Sequence, residues 1–101
     1  MVGLALLYFA VMLFLVIEHF KNDNPKPVRD RFSRNGRMMP EGVLYHGSWI
    51  DPATARCFQI MEAENASLLQ VWTANWGDIV EFEVIPVLSS QEYWEKLSQN
   101  G

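Results

Sequence analysis

Polar side chains that could perform chemistry recur at alternate positions along three predicted strands. Because alternate residues of a strand point to the same side of a sheet, we expect these side chains to share one open face. They are His46, Ser48, Cys57, Gln59, Met61, Glu81 and Glu83. A histidine beside carboxylates in a partly dry cleft can transfer protons. We therefore predict a ligand pocket on this face. If the protein is an enzyme, His46 would be the acid–base residue, with Glu83 or Gln59 orienting it.

The second predicted strand leaves two choices of face. Its alternate positions divide into Leu44, His46 and Ser48 on one side and Tyr45, Gly47 and Trp49 on the other. The first set is the more polar, so we assign it to the open face. A second interpretation of the whole polar set is that its members hydrogen-bond one another or water at a dimer interface.

The single cysteine, Cys57, excludes an internal disulfide and a paired-cysteine zinc or redox centre. Cys57 could act as a nucleophile if His46 on the neighbouring strand activated it, or it could be a buried, inert thiol, which we favour. The two histidines and Cys57 show no spacing typical of metal ligands. We predict no metal and no cofactor.

Charge is distributed unevenly along the chain. Residues 21–37 contain six of the eight basic residues, whereas residues 38–101 contain two basic and nine acidic ones. The net charge of −4 argues against nucleic acid as a partner. The basic segment could bind phosphates or anionic lipid, although a solvated helix face is the simpler interpretation. A basic edge and an acidic remainder also allow two copies to pair.

Residues 1–17 carry no charge. A spanning helix needs about 20 apolar residues, and a secretory signal needs a basic segment before the apolar run. Neither condition is met, and Met12 opens a strand-like segment of its own. We predict that translation starts at Met12, that residues 1–11 are an N-terminal extension, and that the protein is cytoplasmic. The alternative is a membrane anchor.

The periodicity of apolar residues changes several times along the chain. It predicts strands at residues 12–20, 42–51, 56–62 and 79–88, and helices at residues 27–39 and 65–76. A capping box at Ser89 and Glu92 begins a short last helix. In the second helix, Trp72 and Trp76 are spaced as core residues, although a stacking platform for bases or a flavin is the alternative. This α+β order, β-α-β-β-α-β plus a helix, is the ferredoxin-like arrangement, with a four-stranded antiparallel sheet covered by two helices on one face.

Four segments carry a family resemblance: MLFLVIEHFK, GRMMPEGVLYHGSWID, RCFQIMEAE and WGDIVEFEVIPVL. They resemble a small bacterial family known as domain of unknown function 3303, from Met12 to about Trp94. The resemblance implies a ferredoxin-like fold of the dimeric α/β-barrel type, a superfamily that includes small monooxygenases, ligand-binding proteins and stress-response proteins. It implies no assigned reaction and therefore no catalytic residue.

The open face of such a sheet must be covered, and a second copy is the usual solution. We expect residues 12–101 to form a single domain that dimerises through its open sheet face and binds a small apolar molecule there. One alternative is a cofactor-independent monooxygenase or isomerase. Another is a purely structural or regulatory interaction module.

Overall fold

The computed structural model describes residues 11–100, so the predicted N-terminal extension lies almost entirely outside the described residues. These residues form four strands and three helices, which confirms the α+β class. The strands are β1 (Met12–Phe20), β2 (Leu44–Asp51), β3 (Arg56–Ala63) and β4 (Val80–Val87). The helices are α1 (Lys26–Asn35), α2 (Ala66–Thr73) and α3 (Ser90–Asn100), and a 3₁₀ turn at Lys21–Asp23 follows β1.

The four strands form one antiparallel sheet in the order β2-β3-β1-β4. The central position of β1 fits its sequence, because apolar residues on both alternating faces suit a strand that has neighbours on both sides. Pro86 lies on the edge strand β4, as predicted, where its missing N–H removes no hydrogen bond from an inner strand.

The helix ends follow from local backbone chemistry. Helix α1 stops at Asn35, four residues before the predicted end, because Gly36 and Met38 adopt positive φ angles of 65° and 58°. The Asn65 side chain accepts a hydrogen bond from the Leu68 N–H at 3.2 Å and so caps α2. At the start of α3, the Ser89 hydroxyl accepts from the Glu92 N–H at 3.1 Å. No helix in residues 11–100 combines the length and apolar character needed to cross a membrane.

The hydrophobic core lies between one face of the sheet and the helices. We call this side the covered face and the other side the open face. Phe14, Val16, Met61, Leu69 and Trp72 are almost fully buried there. Trp76 is also buried, which confirms the prediction that Trp72 and Trp76 are core residues.

The predicted face of β3 is wrong. Cys57, Gln59 and Met61 lie on the covered face and are buried, whereas Phe58 and Ile60 lie on the open face. The strand register shows why, since Cys57 and Gln59 lie beside Glu18 and Val16 of β1, both of which are buried. Both sides of β3 are apolar enough to be buried, so alternation alone does not distinguish them.

The structure contains neither of the two sets of β2 residues that were predicted to share a face. The pairing with β3 shifts between Tyr45, opposite Met61, and Gly47, opposite Ile60. The bulge adds His46 as an extra residue, and one extra residue reverses which side chains face the core. Tyr45 and Ser48 therefore both lie on the covered face, while Gly47 lies on the open face.

Candidate functional site

A cavity of about 240 Å³ lies between the covered face and helix α1. The residues that line it are Glu18, Phe20, Val28, Phe32, Arg37, Ser48, Ile50, Cys57, Gln59, Trp72 and Trp76. Seven of these eleven side chains are aromatic, aliphatic or, in the case of Cys57, weakly polar. The remaining four, Glu18, Arg37, Ser48 and Gln59, bring charge and hydrogen-bonding groups into an otherwise apolar space.

The sheet places the polar groups next to one another. Glu18 of β1 pairs with Cys57 of β3, and Ser48 of β2 pairs with Gln59 of β3. These residues occupy adjacent positions of three neighbouring strands on the same face, so their side chains converge on the cavity floor.

Helix α1 forms the roof of the cavity. None of its residues is fully buried, and the Phe32 side chain is 44% exposed. The helix is attached through Arg31, whose guanidinium donates two hydrogen bonds of 2.7 Å to the Asp78 carboxylate. That contact holds the pKa of Asp78 at about 2. Arg31 also donates to the Asn75 carbonyl at 2.8 Å, and Val28 is only partly buried against the core. Because α1 has no fully buried residue, it leaves space beneath it.

Glu18 is the only buried acidic residue in the described part of the chain and is 7% exposed. Burial raises the pKa of its carboxyl group from the ordinary value of 4.5 to about 7, although the charge of Arg37 opposes this shift. A carboxyl group with a pKa near neutrality can both take up and release a proton, which is what a general acid–base residue requires.

Gln59 is 4% exposed, and its Oε1 atom accepts no hydrogen bond from the described residues. Leaving a buried acceptor without a partner costs about 1–3 kcal/mol, so such atoms normally have a partner in the protein, in water or in a ligand. Gln59 therefore marks the position in the cavity where a hydrogen-bond donor is missing.

The thiol of Cys57 is 6% exposed and borders the same space. Its pKa is raised to about 11, first by burial and then by the negative charge of Glu18, while Arg37 and a hydrogen bond with Ser48 act in the opposite direction. The thiol is protonated at neutral pH and is therefore a poor nucleophile. His46 cannot activate it, because the His46 side chain pairs with Glu62 on the other side of the sheet.

Two tryptophans close the cavity beside the end of α2. The indole N–H groups of Trp72 and Trp76 both donate to the backbone carbonyl of Arg37, at 2.9 and 3.1 Å. The same arginine places its guanidinium 3.6 Å from the centroid of the Tyr45 ring. The loop after α1 is thus fixed against the core, and Arg37 is held near Glu18.

The predicted pocket residues are divided between the two faces of the sheet. Ser48, Cys57 and Gln59 line the cavity, whereas Met61 is fully buried in the core and does not reach it. His46, Glu81 and Glu83 lie outside it. The prediction that all seven share one open surface is therefore wrong.

The predicted partnership of His46 with Glu83 or Gln59 is also wrong. His46 Nε2 lies 3.1 Å from Glu62 Oε1, and the His46 side chain is 46% exposed. His46 is on β2 and Glu83 on β4, the two opposite edges of the sheet. Three strand spacings separate them, about 14 Å. Glu81 and Glu83 instead border a shallow cleft that also contains His19 and Arg56.

Sequence reasoning missed Glu18, Arg37 and the aromatic wall as parts of the site. A signal for Glu18 was present, since it falls at the same alternate positions as Phe14, Val16 and Phe20, which are buried. An acidic residue is rarely fully buried unless it is paired or functional. Arg37 follows a helix end at a glycine, and no local pattern places it over the sheet.

Comparison with protein families gives one match. The family model described as domain of unknown function (DUF3303) matches residues 12–101, which is most of the chain. The chain belongs to this family. The matched range contains every residue that lines the cavity. No curated protein and no solved structure matches the chain. Membership in DUF3303 assigns no reaction, so the function must be argued from the cavity itself.

Proposed function

We propose that this DUF3303 protein binds a small, largely apolar molecule in the cavity between the covered face and α1, and that it does so as a homodimer joined through the open face. This proposal moves the ligand from the open-face cleft expected from the sequence to the helix side of the sheet. We further propose that the fold is ferredoxin-like and of the dimeric α/β-barrel type. The β-α-β-β-α-β order and the strand order β2-β3-β1-β4 support this assignment.

One observation carries the binding proposal: Gln59 Oε1 is buried with no hydrogen-bond partner among residues 11–100, at the edge of an apolar cavity that Glu18 also lines. A core that served only stability would replace both side chains by apolar ones of similar size, because each costs free energy when it is buried. Their presence is explained if a ligand supplies the missing contacts.

The cavity volume limits the size of the ligand. A cavity of about 150 Å³ is large enough to hold benzene, and sites for drug-sized molecules begin at about 300 Å³. The observed volume of about 240 Å³ lies between these values. A molecule with one or two rings, or an aliphatic chain of similar volume, would fill it.

Filling the cavity with protein should abolish binding. Val28 lines the cavity from α1, so Val28→Phe should occupy part of the space and weaken the binding of one- and two-ring molecules at least tenfold in isothermal titration calorimetry. Val71→Phe, the same change at a 58% exposed position of α2, is the matched control and should bind like the wild type. Equal affinities for the wild type and Val28→Phe would refute binding in this cavity.

The apolar character of the open face supports the homodimer. Neighbouring positions of the four strands bring together Leu15, Ile17, Phe58, Ile60 and Ile85 in the middle of this face. Trp49 is 64% exposed on the same side, and its ring lies so close to Gly47 that a Cβ atom there would approach it to 3.1 Å. Soluble monomers rarely leave a contiguous apolar patch at the centre of a sheet face.

The isomerase alternative also has an observation in its favour, namely Glu18 beside Arg37. A carboxylate could remove a proton from carbon next to a carbonyl group, while a guanidinium stabilises the negative charge that develops on the carbonyl oxygen. Glu18 would then take the acid–base role that the sequence analysis gave to His46. The test is exchange of the α-hydrogens of small ketones with deuterated water, followed by NMR; exchange that is lost in Glu18→Gln would support catalysis.

A further inference from the structure

We infer that the ligand is a neutral, planar aromatic molecule of one or two rings that carries an N–H or O–H group, which it donates to Gln59 Oε1 beside the Glu18 carboxyl group. This inference rests on the proposed binding function and names the chemical class of the ligand. It follows from three features of the cavity: which hydrogen-bonding groups are already occupied, the charge of Arg37, and the walls.

Three donors around the cavity already have partners, and the Arg37 guanidinium lies over the Tyr45 ring, 3.6 Å from its centroid. Both indole N–H groups donate to the Arg37 carbonyl, and the hydroxyl groups of Tyr45 and Ser48 lie 2.6 Å apart. The buried acceptor does not: Gln59 Oε1 has no hydrogen-bond partner among residues 11–100, and the Glu18 carboxyl group borders the same space. The side chains on the cavity floor therefore offer acceptors, and the matching ligand group is a donor.

Arg37 argues against a cationic donor such as an ammonium group. Its guanidinium borders the cavity and favours the charged form of Glu18, so the positive charge that would balance this carboxylate is already present. A second positive charge would repel Arg37, whereas a neutral N–H or O–H group meets no such repulsion and can donate to Gln59 Oε1.

The walls favour an aromatic molecule. Phe20, Phe32, Trp72 and Trp76 contribute four aromatic side chains to a space of about 240 Å³. Aromatic rings in contact gain about 0.5–1.5 kcal/mol beyond the area they bury. A water molecule could also donate to Gln59, but it would gain nothing from these walls, and an aromatic ligand with a donor satisfies both parts of the site.

The test compares indole with benzofuran, which has the same shape but a ring oxygen in place of the N–H group. Calorimetric titration of the wild-type protein should give indole an affinity about tenfold higher, the value expected for one hydrogen bond to an otherwise unpaired buried group. In Gln59→Leu, benzofuran should bind at least as well as before, and the preference for indole should fall below about threefold. Gln70→Leu, the same change at an exposed position of α2, should keep the full preference.

The outcomes separate the inference from the proposed function. If indole and benzofuran bind the wild-type protein equally, or benzofuran binds more tightly, the donor inference is refuted and the binding function stands. If neither molecule binds, both the inference and the proposed cavity site fail. Because the wild-type ratio alone decides the first point, a Gln59 variant that does not fold would leave the test intact.

Discussion

Replacing Glu18 with glutamine should stabilise the protein at pH 8 and leave its stability nearly unchanged at pH 4. The pKa of Glu18 is raised by burial from 4.5 to about 7. Between these values the folded protein holds a proton that the unfolded chain has released, so the free energy of unfolding falls as the pH rises. This loss of stability is complete once the pH exceeds the pKa of Glu18 in the folded protein, about 7.

The size of the change in unfolding free energy follows from the pKa shift of Glu18. One pKa unit corresponds to about 1.4 kcal/mol, so a shift from 4.5 to about 7 costs the ionised wild type about 3 kcal/mol. Glutamine has almost the same shape and carries no charge at any of these pH values. The difference in unfolding free energy between Glu18→Gln and wild type should therefore grow by about 3 kcal/mol from pH 4 to pH 8.

Urea denaturation of both proteins at one-unit intervals from pH 4 to pH 8 measures this difference directly. The protein concentration must be held constant, because the stability of a dimer depends on it. Glu64→Gln, the same substitution at an exposed position after β3, is the control and should show no comparable trend. A Glu18→Gln difference that does not change with pH would refute the argument that burial dominates the pKa of this carboxyl group.

Two further predictions concern the two faces of the sheet. Ile17→Lys introduces a charge at the centre of the open face and should convert the proposed dimer, about twice 11.7 kDa, into a monomer in light scattering, whereas Val71→Lys on the exposed side of α2 should not. A wild-type mass of 11.7 kDa at micromolar concentration would contradict the dimer. Trp72→Ala should lower the free energy of unfolding by about 3–5 kcal/mol, because Trp72 is 2% exposed and its removal leaves a large cavity. A loss below about 1 kcal/mol in urea denaturation would contradict its role in the core.

The sequence predicted the elements better than it predicted their faces. The bounds of β1 agree at both ends, and the cap at Asn65 and the capping residue Ser89 are where the pattern indicated. These signals are local: an apolar run, a side chain that accepts from the backbone, and a proline that suits an edge strand. Local signals determine where an element lies because they do not depend on what packs against it.

The choice of face depends on packing, which a single strand does not encode. In β3, Phe58 and Ile60 are more hydrophobic than Cys57 and Gln59, so hydrophobicity favoured the wrong side. In β2, the bulge at His46 reversed the alternation, and Gly47 beside it is the kind of residue that often marks a bulge inside a strand. Both errors moved residues across the sheet, and together they divided one predicted site into a cavity and an exposed surface.

Each face of this sheet departs at one place from what is expected of a monomeric domain. The covered face, which a stable core would fill with apolar groups, contains Glu18 and the unpartnered Gln59. The open face, which water would contact in a monomer, carries Ile17, Phe58 and Ile60 at its centre. Each departure costs free energy in the isolated chain, and the two costs have no common structural cause. A ligand beneath α1 would remove the cost of the buried polar groups. Another copy of the chain on the open face would remove the cost of the exposed apolar residues. The two proposals can therefore fail independently, and Val28→Phe and Ile17→Lys separate them: the first should impair binding in an intact dimer, and the second should produce a monomer whose cavity is unchanged.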